Sequence, residues 1–450
     1  MSVSYPPGPQ DFTFGVRLVG QIRRDILGFY RRMHETYGDV VYMRLGPYRD
    51  YSFYHPEAIR EILVTKAKHF QRMPLPLKVL RQWNGNSVLM TEGDVWLRQR
   101  RILQPAFHQR RFPHYAEEIT AAVGSIFDRL AGSAGAIDFE AAMTELTTAV
   151  ICRTMFGADL SSQQEEIHRS VQVISKVAIR EMLATVRLPI WLPLPSNREK
   201  RNAIATLDRS IRRLIRERRE STQDRGDLLS MLLLAVDEEA DGRGLTDEEV
   251  RDNCMTIFLA GHDTTAAGLT WLGWVLASQP EVAERATREV ESVCDGQKPA
   301  FELIAKLSYL DRVIKETLRM YPPALAVFAR EALDDVEIAG WKVPKKGIVR
   351  VITHTVQHDP RWYPDPERFD PERFSPERIG QIPQQAYLPF GLGPRACIGN
   401  LFALMEMTLV ACMLLQRFRI AALPGQGEPE LEPGISLRPR GGLRLILSRR

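Results

Sequence analysis

Apolar residues recur with a helical period over three stretches of the chain. From Asp247 to Gln279 the pattern runs for about nine turns; Thr246 with Glu249 three residues later forms a capping box at its start, and Pro280 closes it. Such a length predicts a helix that crosses the whole molecule. A second amphipathic helix is predicted over Tyr309 to Met320, where Leu310, Val313, Ile314, Thr317 and Leu318 share one face and Tyr321-Pro322-Pro323 stops it. Leu401 to Leu415 predicts a third, strongly apolar helix. Strand signals are short: Val40 to Leu45, Tyr51 to Tyr54, Val336 to Ile338, Ile348 to Ile352, and a hairpin around Arg440-Gly441-Gly442. Between Asp359 and Pro389 prolines recur too often for helix or central strand, which predicts an ordered irregular loop. The fold class read from this pattern is mainly α with small β-sheets (α+β), without internal repeats.

Composition narrows the picture. With 44% hydrophobic and 26% charged residues and no Gly/Ser-rich tract long enough to link modules, the 450 residues are expected to form a single domain, residues 1–20 being an N-terminal extension. The 60 basic and 56 acidic residues are interspersed and leave a net charge of only +4, which argues against nucleic acid as a partner. Five scattered cysteines without a CxxC pair suit a reducing cytoplasm. No uncharged apolar run reaches the roughly eighteen residues that span a bilayer, and residues 1–20 lack a basic segment followed by an apolar core, so neither transmembrane anchor nor secretion signal is expected.

One of the five cysteines stands apart. In Phe390-Gly391-Leu392-Gly393-Pro394-Arg395-Ala396-Cys397-Ile398-Gly399 it follows a glycine-rich turn and directly precedes the apolar helix. Glycines let a backbone approach a planar group, and amides at a helix start favour a sulfur anion, the form of cysteine that ligates metals. At Phe390, Gly391, Gly393, Arg395, Cys397 and Gly399 the string resembles the haem-binding signature of the cytochrome P450 superfamily. The resemblance, which runs from about Tyr37 to the C-terminus, implies a haem b whose iron takes the Cys397 thiolate as axial ligand, a sulfur donor that favours O–O cleavage.

Two further motifs support the resemblance. Glu316-Thr317-Leu318-Arg319 resembles the family's Glu-x-x-Arg pair, and Pro371-Glu372-Arg373-Phe374 the segment whose arginine completes a structural Glu-Arg-Arg network. The spacing alone is common: it recurs at Glu57/Arg60, Glu166/Arg169 and Glu248/Arg251, where exposed ion pairs are the simpler expectation. In the long helix, Ala260-Gly261-His262-Asp263-Thr264-Thr265 interrupts apolar sequence with polar groups, which by themselves suggest hydroxyls bonding back to the preceding turn. The string resembles the family's oxygen-activation motif. That implies catalytic roles for Ala260 and Gly261, which make room beside the iron where the helix is distorted, for Thr264 as the proton-relaying hydroxyl, and for Asp263 as the acid joining the relay to solvent. His262 is expected to pack, not to ligate.

A haem carries two propionates that need cationic or donor partners. By resemblance these are Trp96 and Arg100, which match a Trp-x-x-x-Arg helix, with Arg330 and Arg395. The Pro6-Pro7-Gly8-Pro9 start is similar to the proline hinge that follows the anchor of membrane-bound relatives, here preceded by five residues, which points to a soluble bacterial-type enzyme.

The implied function is monooxygenation: hydroxylation or epoxidation of an apolar substrate such as a fatty acid, terpenoid or polyketide, using O2 and two electrons. NAD(P)H would act indirectly, through a ferredoxin or flavodoxin and its reductase, the enzyme itself being a monomer. Arg98, Arg101, Arg110 and Arg111 are candidates for the positive docking surface. A peroxide-driven peroxygenase is disfavoured by Asp263 and Thr264, and a non-catalytic haem ligand-binding protein would need neither. Pocket candidates are Leu89, Ala324, Leu325 and Val327, with apolar walls over Met73 to Leu89 (Met73, Leu75, Leu77, Leu80, Trp83, Val88) and Ile174 to Leu194 (Ile174, Val177, Met182, Leu183, Val186). Core packing is the alternative for those walls, because periodicity does not separate core from pocket.

Overall fold

The computed structural model describes residues 5–132, 135–157, 164–183, 190–192, 194–221, 225–236 and 244–450. Helices dominate and the sheets are small, as the hydrophobic pattern predicts. The chain divides into two compact units, Met1–Leu77 with Lys315–Cys397 and Lys78–Ile314 with Ile398–Arg450.

The first unit is built on a five-stranded sheet in the order Val40–Leu45, Tyr48–Phe53, Ile348–Arg350, Arg330–Ala332, Phe70–Arg72. The first two strands form a hairpin pairing Val40 with Phe53 through Leu45 with Tyr48, so the second strand begins three residues before its apolar run. Ile348–Arg350 is shorter than expected, because Ile352 already caps a helix over Thr353–Gln357. Val336–Ile338 pairs with Trp341–Val343 across Ala339-Gly340, both at positive φ, the backbone of a tight two-residue hairpin. Val41, Phe53, Ile59, Ile338, Val343 and Val349 lie in its core.

Residues 359–389 contain only three short 3-10 turns, Pro371–Phe374, Ile379–Gln381 and Gln384–Ala386, as the prolines predict. With no ladder to satisfy its backbone, the segment is held by local turn bonds, such as Tyr363 N–H to the Asp359 carbonyl at 2.9 Å, and by side chains. Gln357 Oε1 accepts the Leu388 N–H at 2.7 Å while its Nε2 donates to the Leu318 and Arg319 carbonyls, and Tyr363 donates to the Ala386 carbonyl at 3.0 Å.

At the centre, the Glu316 carboxylate accepts from Arg319 Nε (2.7 Å) and Nη2 (2.8 Å), Arg373 Nε (3.3 Å) and the Asp370 N–H (2.9 Å). Glu316 and Arg319 have no solvent exposure. Burial pushes the Glu316 carboxyl up, against the opposing pull of Arg319, the Asp370 amide and Arg373. The same spacing elsewhere gives different pairings: Glu248 bonds Arg212, whereas Arg251 is buried and bonds Asp208 and Asp252, not the exposed pair expected.

In the second unit the central helix spans Asp247–Ser278, 32 residues, with its capping box formed. It packs along the helix Phe139–Phe156 so closely that a Cβ on Gly273 would lie 2.2 Å from the Phe139 ring. The helix Asn400–Arg417 is the one helix among the described residues long and apolar enough to cross a membrane, at mean hydropathy 1.2, but 67% of it is buried against its neighbours. Its Cys412 comes within 3.4 Å, sulfur to sulfur, of Cys294 at the end of the helix Pro280–Cys294.

The expected hairpin at Arg440-Gly441-Gly442 is not formed. Both glycines turn the chain at positive φ, yet Arg438–Pro439 pairs with Leu431–Glu432. The next strand, Arg444–Arg449, already has Ala136–Asp138 on one edge and Phe418–Ala422 on the other.

Removing the carboxylate by Glu316→Ala strands two buried arginines and is expected to lower unfolding free energy by about 3–5 kcal/mol. Denaturant unfolding measures this; a loss under about 0.5 kcal/mol, typical of a surface change, would show that the cluster is not a structural anchor.

Candidate active site

In the first unit, Gly391 and Gly393 adopt φ of +69° and +74°, a conformation that side-chain-bearing residues rarely take. Gly393 has a second constraint: a Cβ there would stand 1.9 Å from the Leu63 carbonyl oxygen. After the 3-10 turn Gly393–Arg395, the Cys397 N–H returns to the Phe390 carbonyl at 2.9 Å and closes the loop. Cys397 is exposed, whereas Cys152, Cys254, Cys294 and Cys412 are buried. Phe390 and Arg395 are half-buried, and Gly399 precedes the helix that begins at Asn400.

In the second unit, every residue of the central helix from Val250 to Leu276 is buried except Leu259, Ala260, Gly261 and Thr264. Ala260 and Thr264 lie one turn apart on one face, so a small accessible window opens on an otherwise enclosed helix. The helix runs through this window without a break. Thr264 Oγ1 donates to the Ala260 carbonyl at 2.8 Å, the back-bonding that its position in the helix favours. A Cβ on Gly261 would meet Ile151 Cδ1 at 2.7 Å, so this glycine also serves packing between helices. His262 packs, as expected: it is buried, stacks on Phe258, bonds the Phe258 carbonyl through Nδ1 at 2.9 Å, and its own carbonyl accepts from Thr147.

Asp263 shows partners that the sequence does not announce. Its carboxylate accepts from Arg438 Nη2 at 2.7 Å and from Ser436 Oγ, and Arg438 is also paired with Glu140. Burial alone would raise the Asp263 pKa; the Arg438 charge, aided by His262 and the Ser436 hydroxyl, outweighs it and holds the carboxyl below its ordinary 3.8. Ser436 lies 173 residues away in the chain, and no local pattern marks it.

Trp96 and Arg100, both half-buried, lie one turn apart on the helix Gly93–Leu103. Arg330 is buried in its strand, with Nη1 donating to the Phe328 carbonyl at 2.9 Å. Ala324 is exposed, Leu325 and Val327 are half-buried, and backbone bonds from Val327 to Val351 and from His354 to Leu325 fix their segment. Leu89, Leu75 and Met182 are half-buried. Met73, Leu77, Leu80, Trp83, Val88, Ile174 and Val177 are buried. Val186 and the Leu183 side chain lie outside the described residues. Of the expected docking arginines, Arg98 pairs with Glu249 and Arg111 donates to the Gly226 carbonyl, while Arg110 is exposed.

These residues fit a haem. Among the described residues no group of three His, Cys, Asp or Glu side chains is placed to hold a metal ion, and a metal on Cys397 would take its other donors from a group such as a porphyrin. The exposed Cys397 thiol on its glycine-turned loop would supply the protein's own ligand to such an iron.

Residues 6–446 match the family model described as Cytochrome P450. The chain belongs to the cytochrome P450 family. Its relatives include cyclooctat-9-en-7-ol 5-monooxygenase of Streptomyces melanosporofaciens (36% identical, covering 87% of this chain and 84% of the relative) and pentalenene oxygenase of Streptomyces avermitilis (32%, 92% and 91%). Leukotriene-B4 omega-hydroxylase 3 of Mus musculus is 32% identical, over 92% and 83%. The protein is therefore a P450 monooxygenase, of a family that uses O2 through a haem iron bound by a cysteine thiolate.

Replacing Arg438 by Gln leaves burial dominant at Asp263, and the carboxyl pKa rises. In the parent, the stability contributed by the ionised Asp263 is full above 3.8 and is lost as pH falls below that value. The unfolding free-energy gap between parent and Arg438→Gln is expected to be small in acid and to widen as pH rises. A gap independent of pH would show that the pair does not control this titration.

Proposed function

We propose that the chain hydroxylates or epoxidises a terpenoid, fatty-acid or polyketide substrate, with Cys397 as the axial ligand of a haem b. The observation that carries this reading is the exposed Cys397 thiol on its glycine-turned, amide-closed loop, in a chain matched to the family over almost its whole length. When bound, the haem supplies O2 activation and insertion of one oxygen atom into the substrate.

The protein's own residues do the rest. Cys397 Sγ is the charge donor, and Phe390, Gly391, Gly393 and Gly399 shape the loop that presents it. Trp96, Arg100, Arg330 and Arg395 offer donors for the two propionates. Ala260 and Gly261 keep the window in the central helix free of bulk. Thr264 Oγ1 already spends its proton on the Ala260 carbonyl, so its lone pairs are available to hold a water on the accessible side. Asp263, kept ionised by Arg438 and Ser436, takes a proton from solvent and passes it on when its pairing loosens. Glu316, Arg319 and Arg373 are structural. Leu89, Ala324, Leu325 and Val327 are the candidates for substrate contact, and the apolar character of the substrate is supported by the cyclooctat-9-en-7-ol and pentalenene named in the two Streptomyces relatives. Electrons come from NAD(P)H through a ferredoxin or flavodoxin and its reductase to a cytoplasmic monomer.

Cys397→Ser is expected to abolish product formation and the long-wavelength band of the reduced carbon monoxide complex; persistence of that band would exclude thiolate ligation by Cys397. Thr264→Ala is expected to retain haem and substrate binding while product formed per NAD(P)H falls severalfold, the balance appearing as peroxide. An unchanged yield would remove Thr264 from the proton path.

A further inference from the structure

A cleft of about 390 Å³ in the second unit is lined by Arg110, Arg111, His114, Arg225 and Gly226, and no carboxylate is among these lining residues. Its basic side chains come from separate segments: Arg110 and Arg111 from the 3-10 turn Gln109–Arg111, His114 from the first turn of the 20-residue helix Phe112–Ala131, and Arg225 from beyond the helix Pro195–Ser221. The framework is fixed. Arg111 Nη1 donates to the Gly226 carbonyl at 3.1 Å, and the Arg225 N–H to Ser230 Oγ at 3.2 Å. Gly226 takes φ +75°, and a Cβ there would lie 3.6 to 3.7 Å from the His114 ring and Arg111 Nη1, so the backbone approaches both.

The nearby carboxylate, Asp227, does not neutralise the cluster, because it is buried and bonds Arg218 Nη1 at 2.6 Å. Three guanidinium groups, with no carboxylate among the described residues that line the cleft, repel one another, and the positive end of the helix dipole adds to the field. An anion with several oxygens relieves both effects, and guanidinium forks match such oxygens in pairs. We propose that this cleft binds a phosphate group, either free or borne on a small metabolite. The site is separate from the haem reading and does not depend on it.

The test uses the full-length haem-loaded protein at low salt, titrated calorimetrically with inorganic phosphate, pyrophosphate and adenosine 5′-monophosphate. At least one should bind and raise the melting temperature. Arg110→Gln and Arg225→Gln, both exposed, should each weaken binding on the order of tenfold, the worth of about one charge-assisted hydrogen bond, without altering the haem spectrum. Arg209→Gln, on the helix Pro195–Ser221, should leave it unchanged. Binding of the inorganic anions alone would assign the site to free phosphate, and binding of the nucleotide as well to a phosphorylated metabolite. The proposal fails if none of the three binds, if the Arg110 and Arg225 variants bind like the parent, or if those variants alter only reduction by an acidic ferredoxin, which would make the cleft a protein-docking surface.

Discussion

A buried charge cluster governs the first unit. Residues 359–389 have only short 3-10 turns and no strand, and where the chain dips into the interior, as at Pro371 and Arg373–Ser375, backbone groups beyond the local turn bonds need side-chain partners. Glu316 meets this need from the end of the helix Ser308–Met320 by accepting the Asp370 amide while gathering Arg319 and Arg373, and Arg319 reaches on to the Gln357 carbonyl. Gln357 then takes the Leu388 amide, two residues before Phe390. The course of the chain into the cysteine loop thus depends on charges that cost free energy to bury and are tolerated because each has a partner.

The central helix meets the opposite difficulty. It is buried nearly throughout, yet carries Asp263, His262 and Thr264 in its middle. Each polar group is satisfied differently: Asp263 by an arginine and a serine from the C-terminal segment, His262 by a carbonyl one turn back, and Thr264 by Ala260 beside the window. The pairing with Arg438 keeps a buried carboxylate ionised against the pull of burial.

Local chemistry made much of this legible. The boundaries of the central helix follow from Thr246, Glu249 and Pro280, because capping and proline act within one turn. The proline-rich segment is irregular because proline has no N–H to give a ladder. The cysteine loop is legible because a close backbone approach needs glycine at fixed positions, and Gly393 against Leu63 shows why. Where the reading fails, the missing information is non-local. The turn at Gly441-Gly442 is real, but strands compete for edges, and Arg444–Arg449 finds both of its own occupied by distant partners.

The sequence by itself thus determined three of the helices, the glycine turns and the residue types that suit a thiolate-ligated iron, since these rest on contacts within a few residues. Tertiary structure alone decided which apolar residues enclose the core, with Trp83 and Ile174 there and Leu89 only half-buried. It also brought Ser436 and Arg438 to Asp263, set Cys294 against Cys412, and gathered Arg110, Arg111, His114 and Arg225 around one cleft. Burial and charge pairing depend on distance in space, and residues far apart along the chain carry no local mark of the neighbours that folding gives them.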